Sequence, residues 1–262
     1  MTNSGRLIPG DKSAGAVKNH GSYIRDEKWN QVYKNPFDFE YRARVNPRVD
    51  LTQATFIIPV RIESEDRLRN VVTAISFLIE NFNTNIFVKE VDTVSHFQNR
   101  ALPKISKLLG IKLDVPETKG LPRFRFAFEH SNDPLFHRQK ILNEMISTLN
   151  RETTVTSNVI VNYDADVVLP LESYTLSYKG ILDGVFDVVY PYGQGEYQRK
   201  VTVNNDQCRK FIFKKDYSIL DNNSEVSTSD FGWAQFFRKK TYIEGGMENE
   251  NFKAYAPEDK ER

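Results

Sequence analysis

Two aspartates separated by one small residue, Asp164-Ala165-Asp166, follow the apolar run Val159, Ile160, Val161. In an extended segment side chains two apart lie on one side, so both carboxylates would face the same way. Two like charges held close want a cation, and hard divalent ions bind through one or two carboxylates plus substrate phosphates, which suits a nucleotide diphosphate. A bare Asp-x-Asp also arises by chance as a solvated acidic turn; its place at the end of an apolar strand, where ligands of open α/β sheets collect, singles this one out. The segment Phe136-His137-Arg138-Gln139-Lys140 sets two cations in the first turns of a helix, where exposed backbone N–H groups also favour anions. Arg61 follows another apolar run, and either meets the same diphosphate or nucleobase or pairs with Glu63, Glu65 and Asp66. Glu90 and Asp92, at a further strand end, are candidates for a nucleoside contact. Near the end, the polar loop Gly245-Gly246-Met247-Glu248-Asn249-Glu250-Asn251-Phe252 precedes Tyr255, Ala256, Pro257, Glu258 and Asp259, where a carboxylate is available as general base for an acceptor hydroxyl.

These residues need elements to hold them. Phe56, Ile57, Ile58, Pro59 and Val60 have the length and β-branching of a buried strand. Leu68, Val71, Val72, Ile75, Leu78, Ile79 and Phe82 recur at helical steps and predict a helix after it. Residues 86–92 read as a second strand, and Phe124, Phe126 and Phe128 alternate as in a partly exposed third. Residues 135–149 carry apolar positions at helical spacing after Asp133 and Pro134, which suit a helix start. The strand ending at Asp164 comes next, then a helix over 171–182 and strands over 187–192 and 231–237. Strands alternating with helices predict a largely parallel sheet in one α/β domain over 51–262, preceded by a polar arm over 1–50 whose scattered aromatics pack on its surface.

Composition narrows the function classes. In 262 residues, 36 Lys plus Arg stand against 35 Asp plus Glu, so the broad positive field of a nucleic-acid binder is missing. The single cysteine, Cys208, has no partner for a disulfide and no companion at metal-ligand spacing. No stretch approaches the ~20 apolar residues of a membrane span, and the first residues lack a signal-peptide core. The expectation is a cytoplasmic protein, with association at the inner face of a membrane left open.

Together and in this order, the segments resemble the β-1,4-galactosyltransferase family and its relatives, including the galactosyltransferase-like part of polypeptide N-acetylgalactosaminyltransferases. The resemblance spans roughly 55–259. The family's strand ending Pro-Phe-Arg is similar to Ile57-Ile58-Pro59-Val60-Arg61, and its Phe-Asn-Arg-Ala-Lys-Leu-Leu-Asn, quite specifically, to Phe136-His137-Arg138-Gln139-Lys140-Ile141-Leu142-Asn143. Its Asp-Val-Asp resembles Asp164-Ala165-Asp166, which implies that Asp166 ligates manganese directly while Asp164 supports the donor sugar or nucleotide. Phe231, Gly232 and Trp233 stand where the family has Phe-Gly-Gly beside the donor. Its Gly-Trp-Gly-Gly-Glu-Asp is similar to the segment from Lys253 to Asp259, which implies that Glu258 binds acceptor hydroxyls and Asp259 is the catalytic base. Tyr255 replaces the usual Trp and both glycines are lost. The chain also stops at Arg262, before the family's His and Met metal ligands, so either the gene product continues or Asp166, diphosphate and water complete the ion's shell.

The resemblance implies a GT-A fold and an inverting, metal-dependent transfer of a hexose or N-acetylhexosamine from a UDP-sugar to a hydroxyl of a glycan or similar acceptor. Mn²⁺ or Mg²⁺ is the implied cofactor, and Pro59, Arg61, Arg138, Asp164, Asp166, Gly232 and Trp233 the implied donor site. Two other readings stay open: a nucleotidyltransferase acting on sugar phosphates, and a non-catalytic sugar-binding relative.

Overall fold

The computed structural model describes residues 48–111, 113, 123–151, 157–192, 198–226 and 233–253. Its centre is a six-stranded, mainly parallel sheet in the order β3-β2-β1-β4-β8-β5. The first unit is β1 (Val49–Val60), helix α1 (Glu65–Asn81) and β2 (Phe82–Asp92), with β1 and β2 parallel. Helix α1 starts cleanly because the Ser64 side chain accepts the Arg67 N–H and two acids, Glu65 and Asp66, occupy its first turn. A short π-turn (Phe97–Ala101) and helix α2 (Leu102–Leu109) lead towards β3 (Arg123–His130), again parallel to β2.

Helix α3 (Arg138–Arg151) then carries the chain back across the sheet to β4 (Val159–Tyr163), which lies parallel on the other side of β1. After helix α4 (Leu171–Leu182) come β5 (Val188–Val189), a two-stranded ribbon of β6 (Arg199–Val201) and β7 (Ser224–Val226), and, between them, α5 (Asn205–Lys214) and α6 (Ser218–Asp221). Strand β8 (Ala234–Arg238) enters between β4 and β5 antiparallel to both, and helix α7 (Lys239–Glu244) follows it.

Both sheet faces are covered, as nearly continuous apolar strands require. Phe56 and Ile58 of β1, Val161 and Tyr163 of β4 and Phe236 of β8 pack on one face with α1, α2, α4 and α5. Ile57, Phe87 and Ile160 pack on the other with Leu142, Met145 and Ile146 of α3. The expected mixed, mainly parallel α/β sheet is therefore present, and the forecast bounds of α4 hold at both ends. Strand β1 begins well before residue 55, and the strand forecast over 187–192 shrinks to two residues. Among the described residues, no helix is long and apolar enough to cross a membrane. The arm over 1–47 lies outside the described residues.

Candidate active site at the β1–β4 switch point

Strand order reverses between β1 and β4, since β2 and β3 lie to one side and β4, β8 and β5 to the other. A crevice opens at such a switch point beyond the carboxyl ends of the strands. Here the β1–β4 ladder stops at the pair Ile57 and Asn162. Past that pair, Pro59 to Arg61 form one lip and Asp164 to Asp166 the other. Pro59 still sits beside Lys89 of β2 but lies beyond the last β4 partner, where β1 needs no donor towards β4.

The two aspartates of the second lip do different things. Asp164 is clamped on both oxygens: Arg138 donates to Oδ1 from Nε at 3.2 Å and from Nη2 at 2.9 Å, and the Trp233 backbone N–H donates to Oδ2 at 3.0 Å. The Asp164 N–H in turn donates to the Trp233 carbonyl at 2.8 Å, which extends the β4–β8 ladder by one pair. Arg138 is only 7% exposed, so its charge has little water and Asp164 is a close carboxylate partner for it. Trp233 is held at φ 79°, in the left-handed region that bulky residues avoid. Removing one side of a buried ion pair leaves an uncompensated charge. Asp164→Ala should therefore lower stability by about 3 kcal/mol, the low end for a buried pair because the acid keeps part of its hydration. Urea denaturation measures the loss.

Beyond Asp164 the chain does not stay extended as expected; it turns, with the Val167 N–H reaching the Asp164 carbonyl. The turn is fastened from below by tyrosines. The Tyr163 hydroxyl donates to the Val167 carbonyl and shares a 2.6 Å hydrogen bond with the Tyr174 hydroxyl. Tyr174 also accepts the Leu169 N–H, and the Tyr217 hydroxyl donates to the Leu169 carbonyl at 3.0 Å. This clamp fixes the backbone that carries Asp166. The Asp166 side chain is exposed by area although protein surrounds it on most sides, as in a concavity. Loss of hydration and the neighbouring Asp164 charge push its carboxyl above the ordinary carboxylate range, against the opposing pull of Arg67 and Arg138.

A divalent cation fits that chemistry, because it would offset the crowding of negative charge at Asp166. The fit is as a one-carboxylate site completed by substrate phosphates, since Asp164 is committed to Arg138 and Trp233. Among the described residues, no group of three or more His, Cys, Asp and Glu is placed to enclose an ion.

Arg61, expected either to meet the diphosphate or nucleobase or to pair with Glu63, Glu65 and Asp66, instead staples loops with its guanidinium. Its Nε donates to the Val91 carbonyl at 3.1 Å, Nη1 to that of Pro134 at 2.9 Å and Nη2 to that of Asp133 at 3.0 Å. These bonds hold residues 131–137 as an irregular strap, so α3 begins at Arg138 rather than at 135 and presents that arginine to Asp164. Arg67, in the first turn of α1, is the cation that sequence reading missed, near enough to Asp166 to act on its carboxyl. Its position one turn into the helix after β1 was the available signal.

Several other expectations change. Lys140 is exposed and pairs with Glu144 at 3.8 Å instead of facing the crevice. Glu90 is fully buried, accepting the Ser95 hydroxyl at 2.7 Å and the Phe97 N–H at 2.9 Å, so it anchors the π-turn and reaches no nucleoside. Asp92, by contrast, keeps its expected place at the end of β2, half-buried, with its side chain accepting the Thr93 N–H at 2.7 Å. The polar loop over 245–252 turns Glu248 inward: its Oε1 accepts from Asn162 Nδ2 at 2.7 Å and from the Tyr242 hydroxyl, and its backbone exchanges two 2.9 Å bonds with the Asn143 side chain. Glu248 thus ties the carboxyl-terminal segment to β4 and α3. Glu248→Ala would remove a buried acceptor shared by Asn162 and Tyr242 and should cost about 3 kcal/mol, whereas Glu248→Gln, which keeps an acceptor oxygen, should cost about 1 kcal/mol, both read by thermal or urea denaturation. Gly232, Glu258 and Asp259 lie outside the described residues.

No protein-family model matches the chain, and no curated protein is a recognisable relative. Among solved structures it is similar to the mannosyltransferase PcManGT from Pyrobaculum calidifontis in complex with GDP-Man and Mn²⁺, at 12% identity over 86% of this chain and 54% of that one, with a TM-score of 0.43. It is also similar to S. aureus TarS 1–349, at 11% identity over 79% of this chain and 53% of that one, with a TM-score of 0.44. The chain spans about half the length of each. Overlaps this loose carry no chemistry across; that has to come from the site itself.

Proposed function

We propose that the chain is a metal-dependent glycosyltransferase of the GT-A type that moves a hexose or N-acetylhexosamine from a UDP-sugar to a hydroxyl of a glycan or similar acceptor. The observation that carries this reading is the arrangement at the tip of β4. A crowded acid, Asp166, faces solvent in the switch-point crevice, beside an arginine held by Asp164 and a second arginine at the start of α1. Acid and base side chains so mixed suit a diphosphate bridged to a cation, and suit it better than either charge alone would.

In this scheme Asp166 would hold a divalent cation, Mn²⁺ or Mg²⁺, which would supply neutralising charge for the leaving diphosphate. Arg138 and Arg67 add fixed positive charge beside it. Pro59, Gly232 and the backbone of Trp233, which holds Asp164, belong to the donor side, and Arg61 acts indirectly by holding the strap before Arg138. By the family resemblance, Glu258 binds acceptor hydroxyls and Asp259 takes the acceptor proton. The acceptor oxygen then attacks the anomeric carbon, the bond from that carbon to the diphosphate oxygen breaks, and UDP leaves with the electron pair, inverting the centre.

A screen of nucleotide sugars with and without Mn²⁺ tests the scheme. Free UDP, released faster with metal and acceptor, is the expected product. Release of pyrophosphate would instead indicate nucleotidyl transfer, and neither nucleotide binding nor donor breakdown would indicate a non-catalytic sugar-binding protein.

A further inference from the structure

Three aromatic side chains gather at the same end of the sheet, and the scheme above uses none of their rings. Tyr192 lies 5.8 Å from Trp233, centroid to centroid, with a 30° tilt, and Tyr190 meets Tyr192 edge-on at 6.2 Å and 86°. All three are half-buried. Strands β4 and β5 both run antiparallel to β8, so Tyr190 and Tyr192, just past Val189, emerge where Asp164 does. Trp233 stands at the head of β8, joined to Asp164 by the paired backbone bonds and the Oδ2 contact.

The order along the sheet end is thus the β1 lip, the acids of β4, Trp233 and the tyrosines. A nucleotide in the β1–β4 crevice brings its phosphates to the acids, which leaves the aromatic shelf on the far side, where the sugars would lie. Backbone conformation adds a second reason. Trp233 is held at φ 79°, which glycine would adopt without strain, so the indole is kept against a conformational cost, and such outliers cluster at ligand sites. Pyranose rings present a C–H face that packs on aromatic rings while their hydroxyls hydrogen-bond at the edge.

We infer that Trp233, Tyr192 and Tyr190 form a stacking subsite for a pyranose ring of the carbohydrate acceptor, beside the acids of β4. The inference deepens the glycosyltransferase reading and rests on it for the word acceptor.

The test titrates the methyl glycosides of glucose, galactose, mannose, N-acetylglucosamine and N-acetylgalactosamine into the full chain with UDP and Mn²⁺ present. Trp29 is the only other tryptophan, so a Trp29→Phe background makes fluorescence report on Trp233. At least one glycoside should change the emission saturably. Tyr192→Ala should weaken that glycoside about tenfold while UDP affinity by calorimetry moves by less than about twofold. Tyr192→Phe, which keeps the ring, should retain glycoside affinity, and Trp233→Gly, followed by saturation-transfer NMR, should lose it. The subsite is overturned if no glycoside saturates wild-type protein that has bound UDP, or if Tyr192→Ala and Trp233→Gly bind as wild type does. If UDP fails to bind but a glycoside binds and is lost in these variants, the subsite stands and the glycosyltransferase reading falls.

Discussion

Replacing Asp166 by alanine should abolish sugar transfer, and metal-dependent UDP binding with it, while leaving the protein at least as stable as before. Loss of function follows because the Arg138 and Trp233 contacts occupy both oxygens of Asp164, so Asp166 is the acid left to a cation in the crevice. The stability half comes from its raised carboxyl. A carboxyl whose pKa is higher in the folded than in the unfolded state binds more protons when folded, so stability falls as pH rises through the interval between the ordinary and the raised value. Alanine removes that decline, and urea melts at mildly acidic and neutral pH should show it. Asp164→Ala has the opposite signature, since it removes the carboxylate from a buried ion pair. A clear loss of stability in Asp166→Ala, or UDP affinity that ignores the change, would show that the two acids have been assigned the wrong way round.

Asp259→Asn should reduce turnover by roughly 10² to 10⁴ while UDP binding stays nearly intact, because a positioned base contributes about that much and acts only on the acceptor proton. The isosteric amide keeps the shape and removes the basicity. Steady-state rates with saturating donor and acceptor, set beside calorimetry with UDP and Mn²⁺, separate the two effects. Wild-type turnover in this variant would remove Asp259 from the mechanism. Glu248 does not stand in for it, being bound inward to Asn162 and Tyr242.

What was legible in the sequence was whatever local periodicity controls. The apolar stripe of α1 and the strand run before Asp164 specify themselves, and helix α4 keeps its forecast bounds over 171–182. The site was legible as far as its place, a strand end bearing acids. Its internal division of labour was not, because that depends on partners far along the chain. Arg138 lies 26 residues from Asp164 and Trp233 lies 69 residues from it, and no spacing rule announces either pairing. Arg61 looked like a ligand-facing cation at a strand end, yet three carbonyls brought near by folding took its guanidinium. The same holds for Glu90 and Glu248, acids that solvation would keep outside had the fold not supplied buried donors for them. The tyrosine clamp under the 164–169 turn was hidden for a related reason: no spacing rule links Tyr163 to Tyr174, and their hydroxyls acquire a purpose only once α4 packs below β4.

Anomalous diffraction at the manganese edge, from crystals of the full chain grown with UDP and Mn²⁺, examines the ion at Asp166 directly. The predicted result is a single strong peak in contact with an Asp166 carboxylate oxygen and a diphosphate oxygen, with Asp164 still bound to Arg138. A peak away from Asp166, or UDP bound in the crevice with no metal peak, would contradict it.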